Sequence, residues 1–336
     1  MTNEPTIKDV AHEAGVSVAT VSRVLNGLPG FSPETEKKVK KAIDKLGYRR
    51  NDIARNLKTK KSSTIAVLLP RVETTFYVKI LNGIEDAAQR CGYSVMICHV
   101  GSYGNRTREY MQMLVQKQVA GVIGCSLPPK EEIDKLITNS KIPCVLVSTL
   151  SFKYPIPYIK VDDYKASYAA VSYLINMGHK KIACLAGSED DIVAGIPRLK
   201  GYKDALLDNG LHIDESLIRY SRFSYKTGLK EAKTLFGSTE KFTAIAACCD
   251  EVAVAAMSAA YEMGLSVPDD VSVIGYDNTS TAEMAIPQLT SVAQPLYEMG
   301  EKSFLMLRSI IEKGTKVENV IMPFKIIKRA TVKKKE

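Results

Sequence analysis

Between Ile65 and Tyr276 the chain alternates short apolar runs with stretches of helical spacing, and few folds admit that rhythm. Ile65–Pro70, Tyr93–Cys98, Gly121–Cys125 and Pro143–Val147 read as strands, separated by helical patterns near Phe76–Cys91, Arg106–Lys117 and Lys130–Asn139. The cycle resumes with a helix over Ala166–Met177 and strands at Ile182–Ala186, Ala244–Cys248 and Val271–Tyr276. Helices near Arg198–Asn209, Tyr225–Phe236 and Glu251–Met263 lie among them. Such alternation predicts parallel sheets covered by helices on both faces, because parallel strands need long crossovers. Two such halves fit the length, and sheets whose strand ends face each other would enclose a cleft.

Of 336 residues, 45% are hydrophobic and 25% charged, ordinary for a soluble globular protein, and no run approaches the ~20 apolar residues that span a bilayer. The polar start Met1-Thr2-Asn3-Glu4-Pro5 offers no secretory h-region, so a cytoplasmic location is expected. Seven cysteines lack metal-type spacing and read as reduced core residues, so no metal or cofactor is expected. The net charge of +9 is concentrated at the two ends. Residues 1–61 hold 13 basic against 7 acidic side chains and residues 325–336 hold 6 against 1. A basic end on a near-neutral body fits a polyanionic partner.

The first fifty residues show what that partner is. Thr6 precedes the stripe Ile7, Val10, Ala11, Ala14, with Asp9 placed for a capping box and Gly15 for the helix end. After Gly15-Val16, Ser17 caps a second helix expected to carry Val18, Val21, Val24 and Leu25 inward up to Asn26-Gly27. Two helices this close predict a helix-turn-helix. A third starts at Ser32-Pro33, buries Val39, Ala42, Ile43 and Leu46, and stops at Gly47. The outer face of the second helix carries Ala19, Thr20, Ser22, Arg23 and Asn26, which suits entry into a major groove. Arg23 is the side chain able to pair bidentately with guanine.

Thr6–Gly27, TIKDVAHEAGVSVATVSRVLNG, followed by FSPETEKKVKKAIDKLGY, strongly resembles the DNA-binding headpiece of LacI/GalR regulators. The resemblance implies DNA contacts from Thr6, Ser17, Val18, Ala19, Thr20, Ser22, Arg23 and Asn26. It also makes the basic segment 49–61 a hinge helix, too short to be stable alone, that pairs with a dimer mate on the operator. Asn51, Ala54, Arg55 and Leu57 would then contact DNA, Leu57 as the minor-groove wedge that kinks a base step. Arg50 departs from the proline usual there.

LNGIEDAAQRCGY, NMGHKKIACLAG, RLKGYKDAL, GLSVPDDVSVIGYDN and LTSVAQPLYEMG extend the resemblance over nearly the whole chain. It implies an all-α headpiece (1–48), the hinge (49–61), and a two-lobed, periplasmic-binding-protein-like α/β core (62–330). One lobe would take about 62–160 and 292–322, the other about 161–291 and 323–330. The basic tail 331–336, with Lys333-Lys334-Lys335, is expected to be disordered.

By the same resemblance Phe76 and Tyr77, Arg198, Asp250 and Asp277 line the effector cleft. Aromatic faces suit a sugar or base, a guanidinium bonds neighbouring oxygens, and carboxylates accept from hydroxyls. Thr74, Ser148-Thr149 and Cys249 depart from the family's usual polar anchors. A sugar or sugar phosphate leads, with Lys200 helping Arg198 on a phosphate, and a purine-like effector or a protein co-regulator as alternatives. The expected function is that of a transcriptional regulator, most simply a repressor of carbohydrate-related genes. As a homodimer without an extra C-terminal heptad helix, it would bind a pseudo-palindromic operator under allosteric control, by induction or co-repression. A cytosolic sugar-binding module would lack the headpiece. An enzyme would need catalytic partners that His99 and His212 lack at recognisable spacing, the resemblance places His12 and His179 in family motifs with no catalytic role, and no Walker or G-x-G-x-x-G motif is present.

Overall fold

The computed structural model describes residues 5–25, 27–48, 62–70 and 74–335, and the chain divides into two compact units, Met1–Lys61 and Ser62–Glu336.

In the first unit, Thr6 donates from its N–H and hydroxyl to the Asp9 carboxylate at 2.7 Å, fixing the start of α1 (Ile7–Ala14). Gly15, at φ 63°, takes the left-handed conformation that ends it. Ser17 Oγ accepts from Thr20 N–H at 3.1 Å ahead of α2 (Val18–Leu25). Ser32 does the same for Thr35 ahead of α3 (Pro33–Leu46). Val10, Ala11, Ala14, Val21, Val39 and Ala42 form the small buried core, with Val24, Leu25, Ile43 and Leu46 half-buried around it. Val18 is a correction: it is 41% exposed, and the buried position of α2 is taken by Val21 one turn further on.

The second unit holds two six-stranded sheets. The first runs β11-β5-β4-β3-β1-β2, built from β1 (Thr64–Leu69), β2 (Ser94–His99), β3 (Gly121–Cys125), β4 (Cys144–Val147), β5 (Tyr158–Val161) and β11 (Val320–Met322). The other runs β12-β10-β9-β8-β6-β7, from β6 (Ile182–Ala186), β7 (Ile218–Tyr220), β8 (Ala244–Ala247), β9 (Ser272–Asp277), β10 (Thr290–Ala293) and β12 (Lys325–Ile327). Every pairing is parallel except β10 with β12, and Ile65 of β1 faces Val95 on one side and Gly121 on the other.

The helices are α4 (Thr75–Arg90), α5 (Thr107–Gln116) and α6 (Glu131–Ser140) with the first sheet, then α7 (Asp163–Asn176), α8 (Gly195–Asp208), α9 (Tyr225–Phe236), α10 (Asp250–Glu262) and α11 (Ser280–Met284) with the second. The long α12 (Leu296–Lys313) follows β10 of the second sheet yet packs on α4, β3, β4 and β5 of the first. The chain therefore crosses between lobes three times, after β5, after β10 and between β11 and β12. Each sheet lies between two apolar layers, one on each face.

The C-terminal residues are not disordered as expected. Thr331 is fully buried, its hydroxyl donating to the Val273 carbonyl at 2.7 Å and accepting from Thr290 N–H at 2.9 Å. His179 Nε2 meets the Lys333 carbonyl at 3.1 Å, and Lys335 N–H donates to the Met177 carbonyl at 2.7 Å. A side chain that looks merely charged in sequence is here attached to backbone with fixed partners.

Candidate functional site

Both sheets share the strand order 2-1-3-4-5 over their parallel strands, which puts a crevice at the carboxyl ends of β1 and β3 and of β6 and β8. A cleft of about 300 Å³ lies there, with walls from Pro70, Ser126 and Ser148 after strands of one lobe and Ser188, Cys249 and Asp277 at strand ends of the other. Six of the eight described non-glycine residues with positive φ stand at these strand ends: Ser126, Ser148, Arg222, Phe223, Asp277 and Asn278. Non-glycine residues reach this region at a cost, and such residues gather where side chains must be aimed at a ligand.

Phe76 and Tyr77 open α4 and meet edge to face, centroids 5.1 Å apart, both lining the cleft. Two hydroxyls in the cleft wall, Thr74 Oγ1 and Ser148 Oγ, are buried with no hydrogen-bond partner. Leaving a hydroxyl unpaired costs free energy unless something else supplies the partner. Both sit where the sequence departs from the family's usual anchors. Neighbouring Thr149 is satisfied instead, donating to the Leu127 carbonyl at 2.8 Å.

Asp277 is buried and accepts from Gln294 Nε2 at 2.7 Å; burial, with Asp250 nearby, raises its carboxyl well above the ordinary range. Asp250, the first residue of α10, accepts from Thr279 N–H at 2.7 Å, Thr279 Oγ1 at 2.9 Å and Ser291 Oγ at 2.5 Å. Those three donors nearly fill its acceptor capacity, so Asp250 ties α10 to the ends of β9 and β10 while showing an edge to the cleft. Burial pushes it up to about 6.

A carboxyl raised in this way binds more protons folded than unfolded. Its stabilisation is full below the ordinary value of 3.8 and is lost as pH rises toward about 6. The difference in stability between the native chain and Asp250→Asn should therefore change by on the order of 1–3 kcal/mol across that window. Urea unfolding at stepped pH measures it, and a pH-independent difference would contradict the assignment.

Arg198 is placed otherwise than the sequence implied. It does not line the cleft but lies buried beneath it, donating from Nε to Asp163 Oδ1 at 2.8 Å and from Nη1 to the Cys248 carbonyl at 2.5 Å. Its guanidinium stacks on Tyr276 at 3.6 Å from the ring centroid and reaches Phe223 at 5.7 Å. Asp163 also pairs with Lys160 at 2.8 Å and accepts from the Tyr276 hydroxyl at 3.2 Å, giving a buried cluster of two cations about one carboxylate. Burial works against the Arg198 charge, but Tyr276, Asp163 and Asp277 around it carry its pKa above the usual guanidinium value. Lys200 points outward, paired with Asp204 and 64% exposed. The joint phosphate grip expected of Arg198 and Lys200 is thus absent; Arg222 is the one Lys or Arg among the described residues of the cleft wall, against Asp190, Asp191, Asp250, Glu251 and Asp277.

The lobes also touch at the mouth, where Lys79 Nζ donates to the Asn278 carbonyl at 2.8 Å and the Thr75 and Thr281 hydroxyls lie 3.3 Å apart. In the first unit Thr6, Ser17, Val18, Ala19 and Arg23 are exposed, with Thr20 and Ser22 half-buried beside them. Asn26, and the hinge residues Asn51, Ala54, Arg55 and Leu57, lie outside the described residues.

Residues 62–330 match the family described as periplasmic binding proteins and sugar binding domain of LacI family, and residues 6–51 match bacterial regulatory proteins, lacI family. The chain belongs to the LacI family. It is 37% identical to catabolite control protein A of Priestia megaterium, over 98% of this chain and 99% of that one. It is 36% identical to the transcriptional repressor PurR of Vibrio atlanticus, over 98% of each. The lac repressor dimer bound to operator and the anti-inducer ONPF superposes with a TM-score of 0.88 at 28% identity, covering 98% of this chain and 100% of that one. The regulator CelR in complex with cellobiose gives 0.75 at 31%, covering 97% and 99%. This LacI-family chain is accordingly a DNA-binding transcriptional regulator with an effector-binding domain, and its relatives are regulators, not enzymes. Among the described residues no helix is long and apolar enough to cross a membrane.

Proposed function

We propose that the cleft takes a neutral, hydroxyl-rich saccharide and that its occupancy sets the grip of a homodimer on a pseudo-palindromic operator in the cytoplasm. The observation that carries the saccharide is the pair of unpartnered hydroxyls, Thr74 and Ser148, facing the same space as the Phe76 and Tyr77 rings. Sugars present an apolar face to a ring and hydroxyls to such partners, and the acid-rich wall repels a phosphate. Asp277 and the remaining acceptor position of Asp250, both bordering the cleft, accept from sugar hydroxyls, while Arg198 holds Phe223 and Tyr276 from below. In two solved relatives the bound molecules are cellobiose and ribose, which agrees with this class.

Thermal unfolding against neutral sugars, sugar phosphates and purines tests the proposal. A neutral sugar at about a hundred times its dissociation constant should stabilise by about 2.7 kcal/mol, an effect abolished in Thr74→Val with Ser148→Ala. Stabilisation by phosphorylated sugars alone would overturn it. Silence across the panel would favour a second reading, regulation through a protein co-regulator, to which the 37% identity with a catabolite control protein lends weight.

For the DNA half, exposed apolar side chains support a partner-covered face: Ile97 and Val115 in one lobe, Tyr261, Met284 and Ile286 in the other, Ile286 being 94% exposed. Sedimentation should find two chains per operator, and one chain per operator would refute the dimer. Arg23→Ala should relax operator discrimination by ~1–3 kcal/mol. Leu57→Ala should weaken specific binding far more than non-specific binding, and equal losses on both would refute the minor-groove wedge.

A further inference from the structure

Resting on the saccharide reading above, we propose that the cleft takes a disaccharide, one ring on its buried floor and the second on an exposed rim formed by Tyr103 and Arg222. The cleft wall carries two sets of side chains that differ in burial. Tyr77, Asp250 and Asp277 are buried, and with Phe76 and the orphaned hydroxyls of Thr74 and Ser148 they make the floor. Ser102, Tyr103, Asp190 and Arg222 border the same cleft and are exposed. A single pyranose ring is fully engaged by the rings and polar groups of the floor, which leaves the rim unused. A volume of about 300 Å³ lies in the range that encloses drug-sized ligands, more than one such ring needs.

Tyr103 follows β2 in a turn whose backbone is fixed at several points. Gly104 N–H donates to the Gly101 carbonyl at 2.8 Å, Arg106 N–H to the Val100 carbonyl at 3.0 Å and Thr107 Oγ1 to the Gly104 carbonyl at 2.7 Å. Lys130 Nζ donates to the Tyr103 carbonyl at 3.2 Å. The turn also packs on α6: a Cβ at Gly104 would stand 2.9 Å from Ile133 Cδ1. The Tyr103 side chain, by contrast, is 62% exposed, and among the described residues no ring, cation or hydrogen-bonding group meets it. A tyrosine held out by a rigid turn loses little freedom when a ligand covers it, and it offers an apolar face with a polar tip.

The other lobe supplies the second group. Ser221 anchors the segment after β7, its N–H and hydroxyl both donating to the Ala186 carbonyl, at 2.9 and 2.7 Å. Arg222 and Phe223 then both take left-handed backbone, φ 51° and 53°. Non-glycine residues adopt that region at a cost, and they do so where a side chain has to be aimed. Phe223 is occupied by the Arg198 guanidinium beneath it. Arg222 is exposed, and among the described residues no carboxylate lies within ion-pair reach of it, although Asp190 and Asp191 border the same cleft. A guanidinium, all donors, suits the ring and glycosidic oxygens of a second sugar, which accept and cannot donate. Tyr103 covers the apolar face of that sugar, Arg222 meets its acceptors, and the acids nearby keep the ligand uncharged.

The test is calorimetric titration of the full-length protein with glucose, galactose and fructose and with maltose, cellobiose, lactose and sucrose. At least one disaccharide should bind on the order of tenfold more tightly than either of its component sugars. Tyr103→Ala should remove that advantage, Tyr103→Phe should keep most of it, and Arg222→Met should reduce it. Both side chains are exposed, so none of these variants should shift the melting temperature of the sugar-free protein. A disaccharide bound no more tightly than its components, or one whose affinity Tyr103→Ala leaves unchanged, overturns the rim while the floor still binds a single sugar. Silence for every sugar overturns the saccharide reading itself, and the rim with it.

Discussion

Asp163→Ala should destabilise the two-lobed unit by about 3–5 kcal/mol, lowering its melting temperature by on the order of 10 °C. The substitution removes the one carboxylate that pairs with both Lys160 and Arg198, each of them buried. It also removes the acceptor for the Tyr276 hydroxyl at 3.2 Å. Two like charges would remain in a low-dielectric interior, where an unpaired ion is far costlier than a lost surface bridge. The triple replacement of Lys160, Asp163 and Arg198 by apolar side chains of similar volume should regain most of the loss, since paired and desolvated charges contribute little net. Denaturant unfolding of both variants measures this. A loss below about 1 kcal/mol for Asp163→Ala would mean that water or a neighbouring group neutralises the cations.

Gly300→Ala or Gly83→Ala should cost about 3 kcal/mol each, at the upper end of overpacking effects. A Cβ at Gly300 would overlap the Ile80 carbonyl, and one at Gly83 would overlap the Tyr297 carbonyl; both obstacles are backbone, which cannot rotate aside. These glycines let α4 and α12 run nearly in contact, and α12 is the element that carries the chain from β10 back over the first sheet. The same unfolding assay reads the effect, and losses within 0.5 kcal/mol, the scale of an ordinary surface change, would show that the helices part easily.

The long apolar strands and the capped helices were legible because each is specified by its own residues. Ile65–Pro70 and Gly121–Cys125 announce β1 and β3 by apolar runs, and Ser32-Pro33 and Gly47 bound α3 by capping chemistry alone. Five strands escaped notice, the three-residue β11 and β12 near the end of the chain among them. β7 has three residues, β5 carries Lys160 inside a four-residue run, and β10 begins Thr290-Ser291, polar residues buried only because Thr331 and Asp250 meet them from forty residues away. Arg198 failed for the same reason. Its motif marks an important position, but only the folded chain brings Asp163 and Tyr276 to it and turns it from the cleft to the layer below. Conversely, Thr74, Ser148 and Cys249 were visible as departures from the family's pattern, yet the orphaned hydroxyls of Thr74 and Ser148 appear only once neighbouring side chains are in place.

The threefold crossing between lobes also governs the order in which the chain can be completed during synthesis. Helix α12 and β11 finish the first sheet, and β12 with Thr331–Lys335 finishes the second, so both lobes draw on the last forty residues of 336. Only the headpiece, whose caps and core are all within 48 residues, is self-sufficient as it emerges. A nascent chain would carry a finished DNA-reading unit followed by two sheets that each lack one edge strand, and these must wait for β11 and β12 before either is covered.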